Sequence, residues 1–338
     1  MSGPGVRNLI TDVDGIDVGN AVDERARSGV TVVLPQERAM AAVDVRGAAP
    51  GTRETDLLDP TCMVEAVDAI CLSGGSAFGL QAADGVMQWL SRHGRGYPVA
   101  GWRVPIVPAA IIFDLASGGD KDWGDDLPYR GLAAEACAAA GGDFPLGNVG
   151  AGLGARAGRL KGGLGSASVV DADGVQVGAL VVANPVGAVT MPGSGTFWAW
   201  ALEQNGEMGG QRPPGRPAAL DHALPADSRL GGNTSLAVVA TNVDLSKAEA
   251  QRVAMMAHDG MARAIRPVHT PFDGDTIFTL ATARKRVEGP RAMLLARIGA
   301  MAADCVARSV ARAVFEADGL GDSPGYRAMH AGAFDGQP

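Results

Sequence analysis

Residues Gly232-Asn233-Thr234-Ser235 are followed at once by the apolar run 236–240. A hydroxyl residue directly after Asn, in a Gly-containing turn ahead of a strand-like run, is what a self-cleaving chain needs at its scissile bond. The Thr234 hydroxyl can attack the Asn233 carbonyl, exchange the amide for an ester, and leave water to finish the cut. The new N-terminal Thr would carry a nucleophile and its own base, because an α-amine has a pKa of roughly 7.7–8, near the operating pH where a general base works best. Pairing a hydroxyl with an N-terminal amine is a known way to activate a weak nucleophile. Taken alone, Asn233-Thr234 is also an ordinary turn Asn before a β-branched strand starter. Its weight comes from the segments that accompany it.

Pro271-Phe272-Asp273-Gly274-Asp275-Thr276 sets two carboxylates two residues apart, just before another strand-like run. Asp273 and Asp275 can orient and charge-balance the Thr234 α-amine and restrain its hydroxyl; a plain Asp-Gly turn is the simpler alternative. A calcium loop is discounted, since the full ligand spacing and the terminal Glu are absent. Asn184 ends an apolar run before Pro185. Its amide can donate to a developing oxyanion, or the residue can merely end a strand at a turn. Lys161 opens the Gly-rich stretch 161–165, as a cation able to favour an alkoxide or bind a substrate group, or as a solvated loop lysine. Ser73-Gly74-Gly75-Ser76-Ala77-Phe78-Gly79 leads into a helix, where the Gly75 and Ser76 amides are candidates to hold an anion or line a pocket.

Other patterns carry less. Gly152-Leu153-Gly154-Ala155-Arg156-Ala157 fits a loose dinucleotide fingerprint, but no helix clearly follows it. No G-x-S-x-G elbow supports a hydrolase triad on a doubly wound sheet. His258 and His269 read as buried, hydrogen-bonded histidines rather than metal ligands.

The elements that must position these groups are visible as strand-like runs at 29–34, 42–45, 104–113, 166–170, 175–182, 235–241 and 276–282. Asp171-Ala172-Asp173-Gly174 reads as a hairpin turn between two of them. The run 104–113 holds two prolines, which points to an edge or irregular strand. Helical periodicity covers 76–93, a capping box at Ser246-Lys247-Ala248-Glu249 opens a helix to about residue 265, and 290–316 is a long helix begun by a proline. Strands in hairpins with helices between groups of strands favour a layered α+β fold over a doubly wound parallel sheet. Residues 206–230, rich in Gly, Pro, Ala and Asp, read as a linker ahead of the scissile bond.

Composition narrows the function classes. A net charge of −8 argues against a nucleic-acid binder. Glycine, 48 of 338 residues, is about twice its usual share of roughly 7%, which implies many tight turns. The four cysteines form no C-x-x-C pair, and Cys137 and Cys305 lie in Ala-rich helical patterns as core residues. No run approaches the ~18 apolar residues of a membrane helix, and no basic stretch with an apolar core opens the chain. The expectation is a cytoplasmic enzyme that binds neither membrane nor nucleic acid.

Several segments together, in one order across nearly the whole chain, resemble a known family. They are 10–13, 46–54, 74–80, 147–152, 161–165, 232–234 and 267–275. The family is the self-processing N-terminal-nucleophile aminopeptidases, which includes L-aminopeptidase/D-esterase, β-peptidyl aminopeptidases and nylon-oligomer hydrolases. The resemblance implies a single domain over residues 1–338 with a four-layer α-β-β-α sandwich. It implies a cut between Asn233 and Thr234, into a larger piece, 1–233, and a smaller one, 234–338, that stay associated. Thr234 would be the nucleophile, Asn184 the oxyanion amide, Asp273 and Asp275 the acidic pair beside the nucleophile, and Lys161 the lysine that the nylon-oligomer branch keeps near its site. Gly75, Ser76 and Phe78 would fall at the substrate. Several members carry Tyr where this chain has Phe78, so a phenolic oxyanion donor is missing and that side of the pocket is more apolar. The resemblance further implies a homo-oligomer, a tetramer or larger, with no metal or organic cofactor. The expected activity is hydrolysis of small peptides or amides. The rivals are acyl transfer of the ornithine-acetyltransferase type and an unprocessed shell that only binds or assembles.

Overall fold

A computed structural model describes residues 2–216 and 232–331. Of the expected linker, residues 217–230 lie outside the described residues.

The strands are β1 (Ile16–Asp23), β2 (Ser28–Pro35), β3 (Ala39–Val45), β4 (Thr52–Arg53), β5 (Ala66–Val67), β6 (Ile70–Ser73), β7 (Tyr97–Val99), β8 (Trp102–Val104), β9 (Ala109–Ile111), β10 (Arg156–Ala157), β11 (Leu160–Lys161), β12 (Gly163–Val170), β13 (Gln176–Ala183), β14 (Leu236–Val243) and β15 (Thr276–Lys285). The helices are α1 (Ala82–Arg92), α2 (Tyr129–Ala138), α3 (Lys247–Ala264), α4 (Arg291–Phe315) and α5 (Tyr326–Met329). One sheet has the order β1-β2-β6-β9-β4, the other β12-β13-β14-β15-β3-β5; β7–β8 and β10–β11 are separate small hairpins.

Alternation along the strands builds three cores from two sheets. Val177, Ala179 and Val181 of β13 join Ala254, Ala257, Val306 and Val310 of α3 and α4. The intervening Leu180 and Val182 join Val33, Ile70 and Leu72 of the other sheet. On the far face of that sheet, Val30, Val32 and Cys71 meet Val86, Leu90, Ala133 and Cys137 of α1 and α2. The result is the expected α+β arrangement in four layers, α-β-β-α. The Ser246 capping box forms, with Ser246 Oγ accepting the Glu249 N–H and Glu249 Oε2 accepting the Ser246 N–H. Helix α4 is tied down by Arg308, nearly inaccessible, which forks onto Glu207 at 2.5 and 2.9 Å and also donates to Asn8 Oδ1 and Ser168 O.

The structure refines the expected elements. The run 104–113 is irregular, divided between the surface hairpin strand β8 and the short β9, with Pro105 and Pro108 outside both strands. Of the two readings of this run the edge strand does not hold, since β9 sits between β6 and β4. The helix expected over 76–93 starts as a 3-10 turn, Ser76–Gln81, and becomes α-helical only at Ala82. Not all pairing is antiparallel: β14 and β15 run parallel, as do β6 and β9.

Candidate active site

The parallel pair β14–β15 brings the two most suggestive segments together. Its register sets Leu236 opposite Thr276 and extends upstream as a bridge between Asn233 and Asp273. Residues 233–235 therefore lie alongside 273–275. The Gly274 N–H donates to Asn233 O at 3.1 Å, and the Thr276 N–H to Ser235 O at 3.1 Å. On the other side β13 pairs antiparallel with β14, and just past its end the Asn184 carbonyl accepts the Thr234 N–H at 2.8 Å. Thr234 is buried between the two neighbours. Its Oγ donates to Asn233 O at 2.5 Å.

A residue other than glycine at 274 would disturb this packing, because a Cβ there would lie 2.6 Å from Ala49 O and 2.8 Å from Thr234 Oγ. The outer edge of the turn is held by the segment following β3. The Arg46 and Gly47 N–H groups donate to Asp275 O, and the Ala49 N–H to Asp273 O. Gly47 is similarly crowded, with a Cβ falling 2.2 Å from Asp275 N.

Both carboxylates are fully buried, and neither hydrogen-bonds to Thr234 among the described residues. Asp275 Oδ1 accepts the Ser235 N–H at 2.8 Å, and its Oδ2 takes both the His269 N–H at 3.1 Å and His269 Nδ1 at 2.8 Å. Asp273 accepts the Val186 N–H on one oxygen, and the Thr270 N–H and hydroxyl on the other. Burial, and secondly the charge of Asp275, push the Asp273 carboxyl above its ordinary value. Asp275 thus holds the residue after Thr234, while Asp273 ties residue 186 to the turn at Thr270.

Asn184 presents its side chain differently from its backbone. Oδ1 accepts the Arg156 N–H at 2.9 Å, while Nδ2 makes only a long 3.4 Å contact to Phe113 O. Lys161 is buried and donates to the Gly152 and Gly162 carbonyls at 3.0 and 2.7 Å. Burial pulls its ammonium down to about 7, partly opposed by the charge of Asp114. Its hydrogen bonds go to neither Thr234 nor the aspartates.

The Gly75 turn is not an open anion cradle. The Gly74, Gly75 and Ser76 N–H groups are taken by Gly29 O, Asp114 Oδ1 and Ile112 O respectively. Phe78 is half exposed and meets Trp123 edge-on at 6.0 Å. Residues 112–114 link these features, since Ile112 accepts from Ser76, Phe113 from Asn184, and Asp114 from Gly75 and from the Ser28 hydroxyl at 2.7 Å.

Three groups escaped the sequence reading: the Gly274 amide, the Asp114 carboxylate, and the partnership of His269 with Asp275. Asp114 left a trace as a carboxylate terminating the apolar run 109–113, and His269 was read as hydrogen-bonded but without its partner. Among the described residues no helix is long and apolar enough to cross a membrane.

The comparisons with known proteins agree with this fold. Residues 8–327 match peptidase family S58. An uncharacterized aminopeptidase of Mycobacterium tuberculosis is 47% identical, over 97% of this chain and 99% of its own. A 6-aminohexanoate-oligomer endohydrolase of a Kocuria species is 32% identical, over 82% of this chain and 76% of its own. The solved L-aminopeptidase D-Ala-esterase/amidase of Ochrobactrum anthropi, described as a variant of the Ntn hydrolase fold, superposes with a TM-score of 0.72. It is 21% identical, and the match covers 96% of this chain and 90% of that one.

Proposed function

Since the chain belongs to peptidase family S58 and shares the Ntn hydrolase fold, we propose that it activates itself by cutting between Asn233 and Thr234, and then hydrolyses small peptides or amides through Thr234. One observation carries the reading. The Thr234 hydroxyl sits 2.5 Å from the oxygen of the carbonyl it would attack, and that oxygen already accepts the Gly274 N–H.

In the first reaction Thr234 Oγ bonds to the Asn233 carbonyl carbon and its proton passes to the departing nitrogen. Negative charge gathers on Asn233 O, where the Gly274 amide is already aimed; such donors stabilise a developing oxyanion without reorganising. Water then hydrolyses the ester, leaving a carboxylate on Asn233 and a free amine on Thr234. That amine stays beside Asn184 O, which now holds an N–H of the base.

In the second reaction the amine takes the Thr234 hydroxyl proton as Oγ attacks the substrate carbonyl. An acyl-enzyme forms, the leaving amine departs with a proton, and water releases the acid. Asn184 supports an oxyanion role in this step: Oδ1 is anchored by Arg156, whereas the long contact of Nδ2 to Phe113 O is one that a substrate oxygen can replace. Asp275 positions Thr234 through Ser235, Asp273 braces the turn that runs beside it, and Lys161 adds a buried amine near this wall of the site. The reading keeps a cytoplasmic homo-oligomer that needs no cofactor.

The test is the intact denatured mass of fresh protein, beside Thr234→Ala. The wild type is expected as two fragments summing to the precursor plus one water, with amide hydrolysis; Thr234→Ala is expected uncut and inert. A Thr234→Ala protein that is cut and active would overturn the assignment.

A further inference from the structure

His269 adopts a left-handed conformation, φ +55°, unusual for a residue with a side chain. This bend lets one residue give two hydrogen bonds to one oxygen, since both its backbone N–H and its Nδ1 reach Asp275 Oδ2. The other carboxylate oxygen holds the N–H of Ser235, the residue after the proposed nucleophile. His269, Asp275 and Ser235 thus form a continuous chain ending one peptide from Thr234. Behind His269 lies His258, packed edge-on at 4.8 Å between ring centres. The His258 Nε2 is fixed by Asp44 O at 3.1 Å. Asp44 lies on β3, next to β15 in the sheet.

We propose that His269 is a positioning residue for the reaction: by donating from Nδ1 it fixes the rotamer of Asp275, so that Oδ1 keeps hold of Ser235 and aims the Thr234 hydroxyl. The assignment rests on the self-cleaving reading above. The backbone N–H alone gives Oδ2 one partner about which the carboxylate can turn; the Nδ1 bond holds the same oxygen from a second direction and stops that rotation. Losing the side-chain donor leaves the fold standing on the backbone bond from His269 N and loosens the grip of Oδ1 on Ser235.

The chemistry of the position supplies its own control. Asn tolerates the left-handed conformation and places an amide N–H where Nδ1 lies, whereas Ala, which this chain also holds in that conformation at Ala100 and Ala283, supplies no donor. His269→Ala is expected to slow self-cleavage by about 10- to 100-fold, the effect of losing one hydrogen bond to a charged group. In whatever cut enzyme forms, kcat falls with KM little changed. His269→Asn is expected to recover most of both rates. Self-cleavage is followed by intact mass and hydrolysis by steady-state kinetics, with circular dichroism to check that each variant is folded. Folded His269→Ala cutting and turning over at the wild-type rate would overturn the proposal, as would Asn failing to improve on Ala. Failure of the wider reading looks different, because there Thr234→Ala itself would remain active.

Discussion

Asn184 touches Thr234 through its backbone and not through its side chain. The Asn184 carbonyl holds the Thr234 nitrogen at 2.8 Å, while the side-chain amide turns away to Arg156 and Phe113. One residue can therefore serve two separable purposes. The carbonyl, which any residue supplies, keeps the Thr234 nitrogen in place, and the amide is available to a substrate in the proposed hydrolysis.

Asn184→Ala should separate the two reactions. Hydrolysis is expected to drop by roughly two to three orders of magnitude, as when one oxyanion donor is lost. Self-cleavage, whose oxyanion meets the Gly274 amide, should stay within about tenfold of wild type, the effect of about 1.4 kcal/mol on a barrier. Comparing the cleavage half-life by mass with kcat on an amide substrate decides it; equal losses in both would place Asn184 in both steps.

Gly274→Ala should block the first reaction, and with it the hydrolysis that depends on the amine freed by the cut. A methyl group 2.8 Å from Thr234 Oγ and 2.6 Å from Ala49 O forces the turn apart and moves the amide that faces Asn233 O. The expected product is a folded chain that remains largely uncut over the time in which wild type is fully processed. Normal processing would mean that the turn yields without moving that amide.

Lys161 should leave a mark on stability against pH. Its folded-state value, about 7, lies below its ordinary 10.5, so between those values the unfolded chain binds more protons and stability rises with pH. The slope is at most about 1.4 kcal/mol per pH unit. Urea melts from pH 7 to 10 should show this rise in wild type and a flatter profile in Lys161→Met. Parallel profiles would mean that Lys161 keeps its ordinary affinity for a proton.

Arg308 and Glu207 fall on opposite sides of the proposed cut, so their ion pair should become a bond between pieces. Removing one partner of a buried pair costs about 3–5 kcal/mol. Arg308→Leu is expected to make the cut protein separate or unfold at lower urea. Combined with Thr234→Ala, it should lower stability without separation. Size-exclusion chromatography in urea reads the difference, and unchanged cohesion of cut Arg308→Leu would show that the pair is not what holds the pieces.

The local chemistry of the site was legible because its parts sit next to strand starts. Thr234 precedes β14 and Asp275 precedes β15, each visible as an apolar run. What no local pattern carries is the parallel pairing that sets residue 233 beside residue 273, because that contact is made across the whole of α3. The same limit hid Asp114, whose partner Gly75 is distant in the chain, while His269 lies close to its partner Asp275 but reaches it only through a left-handed bend that composition does not announce. Strand β1 was missed because Gly19 and Asn20 interrupt its apolar alternation, whereas α2 showed only as the Ala-rich helical pattern around Cys137, without bounds, because Gly131 and its small residues give it a weak apolar stripe. The linker-like composition before Thr234 told of a break in pattern, and nothing of how Glu207 within it is gripped.

Strands β14 and β15 occupy the two central places of their six-stranded sheet. A cut after Asn233 would turn the middle of that sheet into a separate molecule, flanked on both sides by its former self. Uncut, the chain would fold in a first-order event. Once divided, recovery from full unfolding becomes second-order and sensitive to dilution, and survival depends on how slowly the assembly opens. Maturation would then act as a one-way ratchet, in which each molecule gains its chemistry by giving up the ability to rebuild itself alone.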